Sequence, residues 1–276
     1  MSVVLEILRW LIAIGLVYLF LIAPNILHRK LRRKELLGWY YAHRGLHDDN
    51  HLVPENSLPA FQKAVDKGFG IELDVHLTKD QQLVVHHDNS LKRLCGDSRL
   101  ISETTLSEIQ HLELGQSGES VPTLDQVLAL VDGRVPLIIE LKSDKQGDTS
   151  LATLLNARMQ TYGGVYCVES FDPLLMRWYK KHAPKVVRGQ LAVDQRYTKK
   201  GKYADVKQFC AAYLLGNFLS RPDFVAYGYK TDRNLSFRVL RSLFRPMLAA
   251  WTVRSKEDSE KLERAYDLQI FEAFEP

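Results

Sequence analysis

The chain holds only three cysteines in 276 residues, Cys95, Cys167 and Cys210, far apart and with no CxxC pair. That leaves neither a disulfide framework nor a thiolate zinc site, and it fits a reducing compartment. A surplus of one charge is missing from most of the chain. Six of the 37 Lys and Arg but only two of the 33 Asp and Glu fall within residues 1–38, so 31 of each sign remain beyond. A neutral main body removes the compositional case for a nucleic-acid binder, which needs a basic face on the folded domain. No serine elbow and no P-loop occur, so two common routes to hydrolase chemistry are closed. There is also no sequence repeat and no low-complexity stretch.

What is present is an ordinary globular composition, 46% hydrophobic and 25% charged, long enough to bury a large core. A single barrel-type domain of about 250 residues fits that length. The N-terminus stands apart. From Trp10 to Leu27 no charged residue occurs, and such a stretch covers about 27 Å as a helix, close to the roughly 30 Å of a bilayer core. Arg9 can snorkel to lengthen the span, and Pro24-Asn25 marks its exit. His28, Arg29, Lys30, Arg32, Arg33 and Lys34 follow it, whereas a secretory signal carries its positive charge before the apolar core. An uncleaved transmembrane anchor is expected, with residues 1–38 as anchor and basic linker and 39–276 as the main domain. The positive-inside rule then leaves the main domain cytoplasmic and the protein a single-pass membrane protein. The competing reading is a helix lying in the interface, held by Trp10 and the basic cluster.

Beyond residue 38, apolar runs and amphipathic segments alternate. Trp39–Ala42 reads as a strand delivering His43, Arg44 and Gly45 at a turn. Ser57 is placed to cap a helix carrying Leu58, Phe61, Ala64 and Val65. Strands over 71–77 and 83–85 follow, then a polar excursion, then Thr123 capping a helix through Val131. Strands over 135–141, 165–170, 186–193, 224–227, 247–253 and 268–271 alternate with helices near 151–159, 173–182, 206–215, 235–244 and 256–265. Buried strands alternating with helices argue for parallel βαβ units. About eight of them at this length predict an α/β fold, a TIM (β/α)8 barrel with a small insertion after the second strand, preceded by the transmembrane helix. His43, Glu72, Asp74, Glu140, Ser170 and Trp251 then lie near the C-terminal ends of their strands, the face where barrel enzymes build their sites.

The central stretch runs from Gly70 to Asp88, GIELDVHLTKDQQLVVHHD. Ile71, Leu73, Val75 and Leu77 alternate with Glu72, Asp74 and His76, so two carboxylates project side by side from one strand face. With Glu140 they form an oxygen-only donor set, which suits a hard divalent cation such as Mg²⁺ or Ca²⁺ better than zinc. His43 and His87 can serve as base and acid near neutral pH, while Arg44 and Lys142 add fixed positive charge. A cation site, fixed charge and a histidine pair suit a phosphate ester, whose oxygens gain negative charge as the leaving group departs. His47, His51, His76 and His111 read as loop or surface residues.

The ordered set HRG at 43–45, PENS at 54–57, ELD at 72–74, HHDNSLKR at 86–93, VPTLDQVL at 121–128 and LIIELK at 137–142 resembles the glycerophosphodiester phosphodiesterase family, from about Tyr40 to the C-terminus. The resemblance implies a TIM barrel that hydrolyses glycerophosphodiesters to sn-glycerol 3-phosphate and an alcohol. It implies that Glu72, Asp74 and Glu140 hold one divalent cation, Mg²⁺ or Ca²⁺, and that His43 and His87 are the acid/base pair. Arg44 is then a phosphate ligand, Glu55 and Lys142 support the site, and Phe171 and Trp251 pack on the substrate. The implied chemistry is attack of the glycerol 2-hydroxyl on phosphorus, helped by one histidine, with the other protonating the alcohol, and then opening of the cyclic phosphate by water. Three positions depart from the family pattern: His86 stands where an apolar or aromatic residue is usual, Gln81-Gln82 replaces an acidic-glycine turn, and the chain ends FEAFEP without the usual Thr-Asp-x-Pro-like finish.

Other readings remain open from sequence. A lysophospholipase D-type activity on lysophospholipids is favoured by a membrane anchor, and comparison of glycerophosphocholine with lysophosphatidylcholine separates it. An inactive, membrane-tethered binding barrel is disfavoured because the three carboxylates and both histidines are all present, and metal-dependent turnover would exclude it. A metal-independent, phosphoinositide-specific phospholipase C has no need of three carboxylates. The expected partners are a small glycerophosphodiester or lysophospholipid and the lipid bilayer, with no nucleic acid; oligomeric state is not legible.

Overall fold

A computed structural model describes residues 2–26, 33–48, 52–145, 147–198 and 201–276. Its centre is a closed barrel. The strands are β1 (Tyr40–His43), β2 (Gly70–Leu77), β3 (Leu83–Val85), β4 (Leu137–Leu141), β5 (Tyr166–Ser170), β6 (Arg188–Ala192), β7 (Phe224–Gly228), β8 (Met247–Val253) and β9 (Leu268–Phe271). They are ordered β1-β9-β8-β7-β6-β5-β4-β2-β3, and β1 also pairs with β2, which closes the ring. All ring pairings are parallel, and β3 adds to β2 as an antiparallel hairpin. This is the TIM (β/α)8 barrel expected from the alternation, and the helices pack outside it.

Side-chain parity divides the core in two. Outward residues such as Leu73, Ile139, Val168 and Val225 meet the helices, whereas Tyr41, Ile138, Cys167, Phe224, Ala226, Ala249 and Ile270 fill the barrel interior. Leu36, which precedes β1, joins the interior set and is fully buried, and Tyr41 donates to its carbonyl at 2.8 Å. Leu36 thus seals the end of the barrel at which the strands begin. Beneath β6 and β7, the buried Arg188 guanidinium bonds Asp223 and the carbonyls of Ser220 and Arg221. Gly189 leaves the room that the Phe224 ring fills.

Local signals act as read. Ser57 accepts from Ala60 N at the start of the helix Leu58–Asp66, and Thr123 forms a reciprocal capping box with Gln126 for Leu124–Val131. The helix expected over 235–244 is α-helical only to Val239 and widens into a π-turn over Leu240–Phe244. The polar excursion after β3 builds a small core of its own from Val84, Leu91, Leu94, Ile101, Ile109, Leu114 and Val121. Its apolar residues are too dispersed to show as periodicity.

The N-terminal helix α1 spans Ser2–Ile22, not 10–27, and is long and apolar enough to cross a membrane. Proline stops it early, because Pro24 lacks an N–H and drives the residue before it out of the helical region. The basic cluster His28, Arg29, Lys30 and Arg32 lies outside the described residues. The last turn of α1 packs on the barrel, where its open carbonyls are met. Asn217 Nδ2 donates to Ile22 O at 2.9 Å, and Arg221 donates to Phe20 O at 3.0 Å and Ala23 O at 2.8 Å. A cation at a helix C-terminus also complements the helix dipole. Tyr18 and Ser236 share a hydrogen bond of 2.7 Å, and Asn25 donates to Asp223 at 2.7 Å. Ser236 lies in the first turn of the helix that follows β7, and Asp223 immediately precedes β7. From residue 25 back to residue 18, α1 therefore climbs toward the C-terminal strand ends, and residues 2–17 continue in that direction.

The closeness of Gly189 to Phe224 sets a test of interior packing. A Cβ on Gly189 would come within 2.2 Å of the buried Phe224 ring, so Gly189→Ala should destabilise the chain by about 1–3 kcal/mol. Urea unfolding of the detergent-solubilised full chain should show a lower midpoint with an unchanged slope.

Candidate active site

The site forms where parity and closure aim polar side chains inward at the C-terminal strand ends. His43 ends β1 in register with Glu72 of β2, and Asp74 is in register with Glu140, which is in register with Glu169 of β5. His43, Arg44, Glu72, His87, Glu140, Lys142, Phe171 and Trp251 line one cavity, joined by Glu169, Leu191 and Ile270. Asp74 does not line it but sits beside it, bonded by Asn56 Nδ2 at 2.9 Å and approached by Arg44 Nε at 3.5 Å. Glu55 stands outside the lining and holds Arg44 from behind at 2.8 Å.

Arg44 takes up a left-handed backbone, φ 59°, which turns its N–H onto Glu72 Oε2 at 3.0 Å. The next residue must be glycine. Gly45 has φ 80°, and a Cβ there would meet Ala60 at 2.9 Å. Asn56, also left-handed at φ 55°, bonds the Arg44 carbonyl through its own N–H at 2.8 Å.

The two histidines share one arrangement. His43 Nδ1 is 2.7 Å from Glu272 Oε2, and His87 Nδ1 is 2.7 Å from Asp88 Oδ1. An ionised carboxylate only accepts, so each Nδ1 carries the hydrogen and each Nε2 keeps its lone pair. Burial lowers the pKa of both rings, more than their carboxylate partners raise it. His86 is fully buried and does not line the cavity. His76, expected at the surface, is buried against the His87 carbonyl.

Glu72, Asp74 and Glu140 present oxygens that all lie within 4.8 Å of one another. Burial and mutual repulsion raise Glu72 and Glu169 well above the ordinary carboxylate range, and burial takes Glu140 up to about 7 despite Lys142. Asp74 is buried too, but Lys142 and Arg44 outweigh burial and lower its pKa. Lys142 Nζ sits 2.8 Å from Glu140 Oε1 and 3.1 Å from Asp74 Oδ1. Those approaches are too oblique for directed hydrogen bonds, so both oxygens, with Glu169 Oε2, lack a donor. Fully ionised, the four buried carboxyls would exceed Arg44 and Lys142 by two negative charges, a repulsion that adds to burial in holding Glu72 and Glu169 up and that a hard divalent ion would offset. The donor set therefore fits Mg²⁺ or Ca²⁺.

Glu169, Glu272, Asn56 and Asp88 were missed as site residues. Ser170 was singled out in place of Glu169, but its hydroxyl turns outward to the Leu141 carbonyl. Strict parity from Cys167 would have selected Glu169. Glu272 lies in FEAFEP, where no family motif marks it, and only the β9–β1 pairing brings it to His43.

Residues 43–266 match the family model described as the glycerophosphoryl diester phosphodiesterase family. The chain is 36% identical over 160 residues to a glycerophosphodiester phosphodiesterase of Caldanaerobacter subterraneus, which covers 54% of this chain and 65% of that relative. It is 37% identical over 125 residues to a lysophospholipase D of Homo sapiens, covering 45% of this chain and 38% of the relative. The chain thus spans less than two thirds of these curated relatives. A solved glycerophosphodiester phosphodiesterase from Thermotoga maritima superposes with a TM-score of 0.64 at 28% identity, covering 84% of this chain and 94% of that one.

The brace behind Arg44 has a pH signature. Burial would raise the Glu55 pKa, but hydrogen bonds and charge from Arg93 and Arg44 lower it from 4.5 to about 2. Its stabilisation is therefore complete above its ordinary pKa and is lost as pH falls toward about 2. Glu55→Gln should cost about 1–3 kcal/mol at neutral pH and progressively less on acidification. Thermal unfolding of the two proteins between neutral pH and pH 3 reads the convergence.

Proposed function

Because the chain belongs to the glycerophosphoryl diester phosphodiesterase family, we propose that it hydrolyses glycerophosphodiesters to sn-glycerol 3-phosphate and an alcohol, using His43 and His87 as acid and base. One observation carries this reading: two imidazoles, each with Nδ1 bonded to a carboxylate, line the same cavity as Glu72 and Glu140, whose oxygens cluster with those of Asp74. The names of the relatives, a glycerophosphodiester phosphodiesterase and a lysophospholipase D, support a phosphodiester substrate with a glycerol backbone.

His43, with its Nδ1 hydrogen held by Glu272, offers Nε2 to a hydroxyl proton. His87, with its Nδ1 hydrogen held by Asp88, serves the departing alcohol as proton donor, and the roles reverse when water completes hydrolysis. Arg44 and Lys142 are fixed charges for the non-bridging oxygens. Glu72, Asp74 and Glu140 would hold a divalent cation, Mg²⁺ or Ca²⁺, which would supply further positive charge for the phosphoryl oxygens. Trp251 and Phe171 meet edge to face, with centroids 5.7 Å apart, and form an apolar wall for the glycerol side. Residues 1–38, with α1 and the basic run after it, are read as the anchor and linker of a single-pass protein with a cytoplasmic barrel.

Release of glycerol 3-phosphate from glycerophosphocholine tests the assignment. His43→Ala and His87→Ala should each lower kcat by about 10²–10⁴, and excess EDTA should stop turnover until Mg²⁺ or Ca²⁺ is restored. Near-normal activity of His43→Ala, or full activity in EDTA, sinks the reading.

A further inference from the structure

The groups that set His87 and Arg44 meet at one further side chain. Arg93, in the short helix Lys92–Cys95, donates from Nε to Asp88 Oδ2 at 2.5 Å, and from Nη1 and Nη2 to the two oxygens of Glu55 at 2.9 and 2.7 Å. Each carboxylate also reaches into the site. Asp88 Oδ1 holds His87 Nδ1 at 2.7 Å, and Glu55 Oε1 accepts from Arg44 Nη1 at 2.8 Å. An unbroken run of hydrogen bonds therefore leads from His87 through Asp88, Arg93 and Glu55 to Arg44. It ties the loop that follows β3 to the loop that follows β1.

A half-exposed arginine in a single ion pair usually contributes little. Arg93 differs in its geometry and in what its partners hold. Its fork takes both Glu55 oxygens, a bidentate arrangement that fixes direction as well as distance, while its Nε takes the second carboxylate. Those partners are better covered than Arg93 itself, with side chains 13% and 28% exposed against 44%. Burial would raise Asp88, but the hydrogen bonds from Arg93 and His87 outweigh it and bring the carboxyl down to about 2. An ionised Asp88 only accepts, which keeps the His87 hydrogen on Nδ1. Arg93 does not line the catalytic cavity, so it acts through the two carboxylates and not on the substrate.

We propose that Arg93 is a positioning residue that sets the acid/base group His87 and the phosphate ligand Arg44 as one unit, through Asp88 and Glu55. The proposal rests on the phosphodiesterase reading for the roles of those two residues. Loss of Arg93 releases both carboxylates, whereas loss of Asp88 releases only His87 and loss of Glu55 only Arg44. A misaimed proton donor is felt only where the leaving group needs a proton. Choline oxygen must be protonated as its bond to phosphorus breaks, whereas 4-nitrophenolate leaves as the anion.

The test compares glycerophosphocholine with the 4-nitrophenyl ester of sn-glycerol 3-phosphate, using the detergent-solubilised full chain with added Mg²⁺. Arg93→Met, which keeps an apolar stem and removes the fork, should lower kcat on glycerophosphocholine by about ten-fold or more and on the nitrophenyl ester clearly less. Asp88→Asn should show the same leaving-group dependence, Glu55→Gln should raise KM on both esters alike, and adding Arg93→Met to Asp88→Asn should cost no further kcat. His87→Ala on the same esters keeps this apart from the catalytic reading. If His87→Ala spares the nitrophenyl ester, equal losses on both esters in Arg93→Met overturn the positioning role and leave His87 as donor. If His87→Ala does not spare it, His87 is not the donor, and the double variant decides: a non-additive loss supports Arg93 as the link and an additive one overturns it. Should wild type turn over neither ester, the phosphodiesterase reading fails, and nitrogen NMR of the histidine rings decides on Arg93. A single Nδ1–H tautomer of His87 that becomes mixed in Arg93→Met supports the link, and an unchanged tautomer overturns it.

Discussion

Concentrated negative charge at the mouth of a closed barrel is the constraint on which the rest of the site depends. Glu72, Asp74, Glu140 and Glu169 all face inward because parallel register aligns Asp74, Glu140 and Glu169 on β2, β4 and β5, with Glu72 two residues below, level with His43. Burying four carboxyls is expensive unless each finds a counter-charge or a donor. The surrounding loops supply these. The left-handed turns at Arg44 and Asn56 lock onto each other, one giving Glu72 a backbone N–H and the other giving Asp74 a side-chain amide. Lys142 enters from the end of β4 and Glu55 braces Arg44. The remaining deficit is what suits the cluster to a divalent cation.

The histidines meet the same constraint differently. Each is pulled toward neutrality by burial, and each is held in one tautomer by a carboxylate outside the Glu72–Asp74–Glu140 cluster, Glu272 or Asp88. Those partners keep low pKa values, about 2 in both cases, because hydrogen bonds from the histidines and nearby arginines outweigh burial. The ring nitrogens facing the cavity are thereby separated from the carboxylates that orient them. Two imidazoles of similar environment can exchange the parts of acid and base within one turnover.

The N-terminal helix is built into the barrel rather than merely attached to it. The open carbonyls at the end of α1 are met by Asn217 and Arg221, residues of the β6–β7 connection, and the Arg221 guanidinium lies 4.5 Å from the centre of the Phe20 ring. A helix end satisfied in this way has a defined direction relative to the strands. That direction carries residues 2–17 toward the C-terminal strand ends, the side on which the candidate site lies.

The alternation of apolar runs and amphipathic helices was enough to read the barrel, since periods of two and 3.6 are local properties of the backbone. Glu72, Asp74 and Glu140, at strand ends with inward parity, were legible for the same reason, and HRG and HHD marked the loops that carry His43 and His87. Other features depended on closure. Glu272 reaches His43 across 229 residues because β9 pairs with β1, and nothing local to FEAFEP announces it. Glu169 was hidden behind Ser170 by a one-residue ambiguity of parity that the register of β5 on β4 resolves. Pro24 ended the anchor before the apolar run itself ended, and only tertiary contacts gave that helix a direction. Local periodicity and residue chemistry thus determined the elements and most of the reactive groups. Register, ring closure and the docking of α1 decided which side chains share a cavity and what that cavity faces, because those depend on pairings between distant segments that no local pattern encodes.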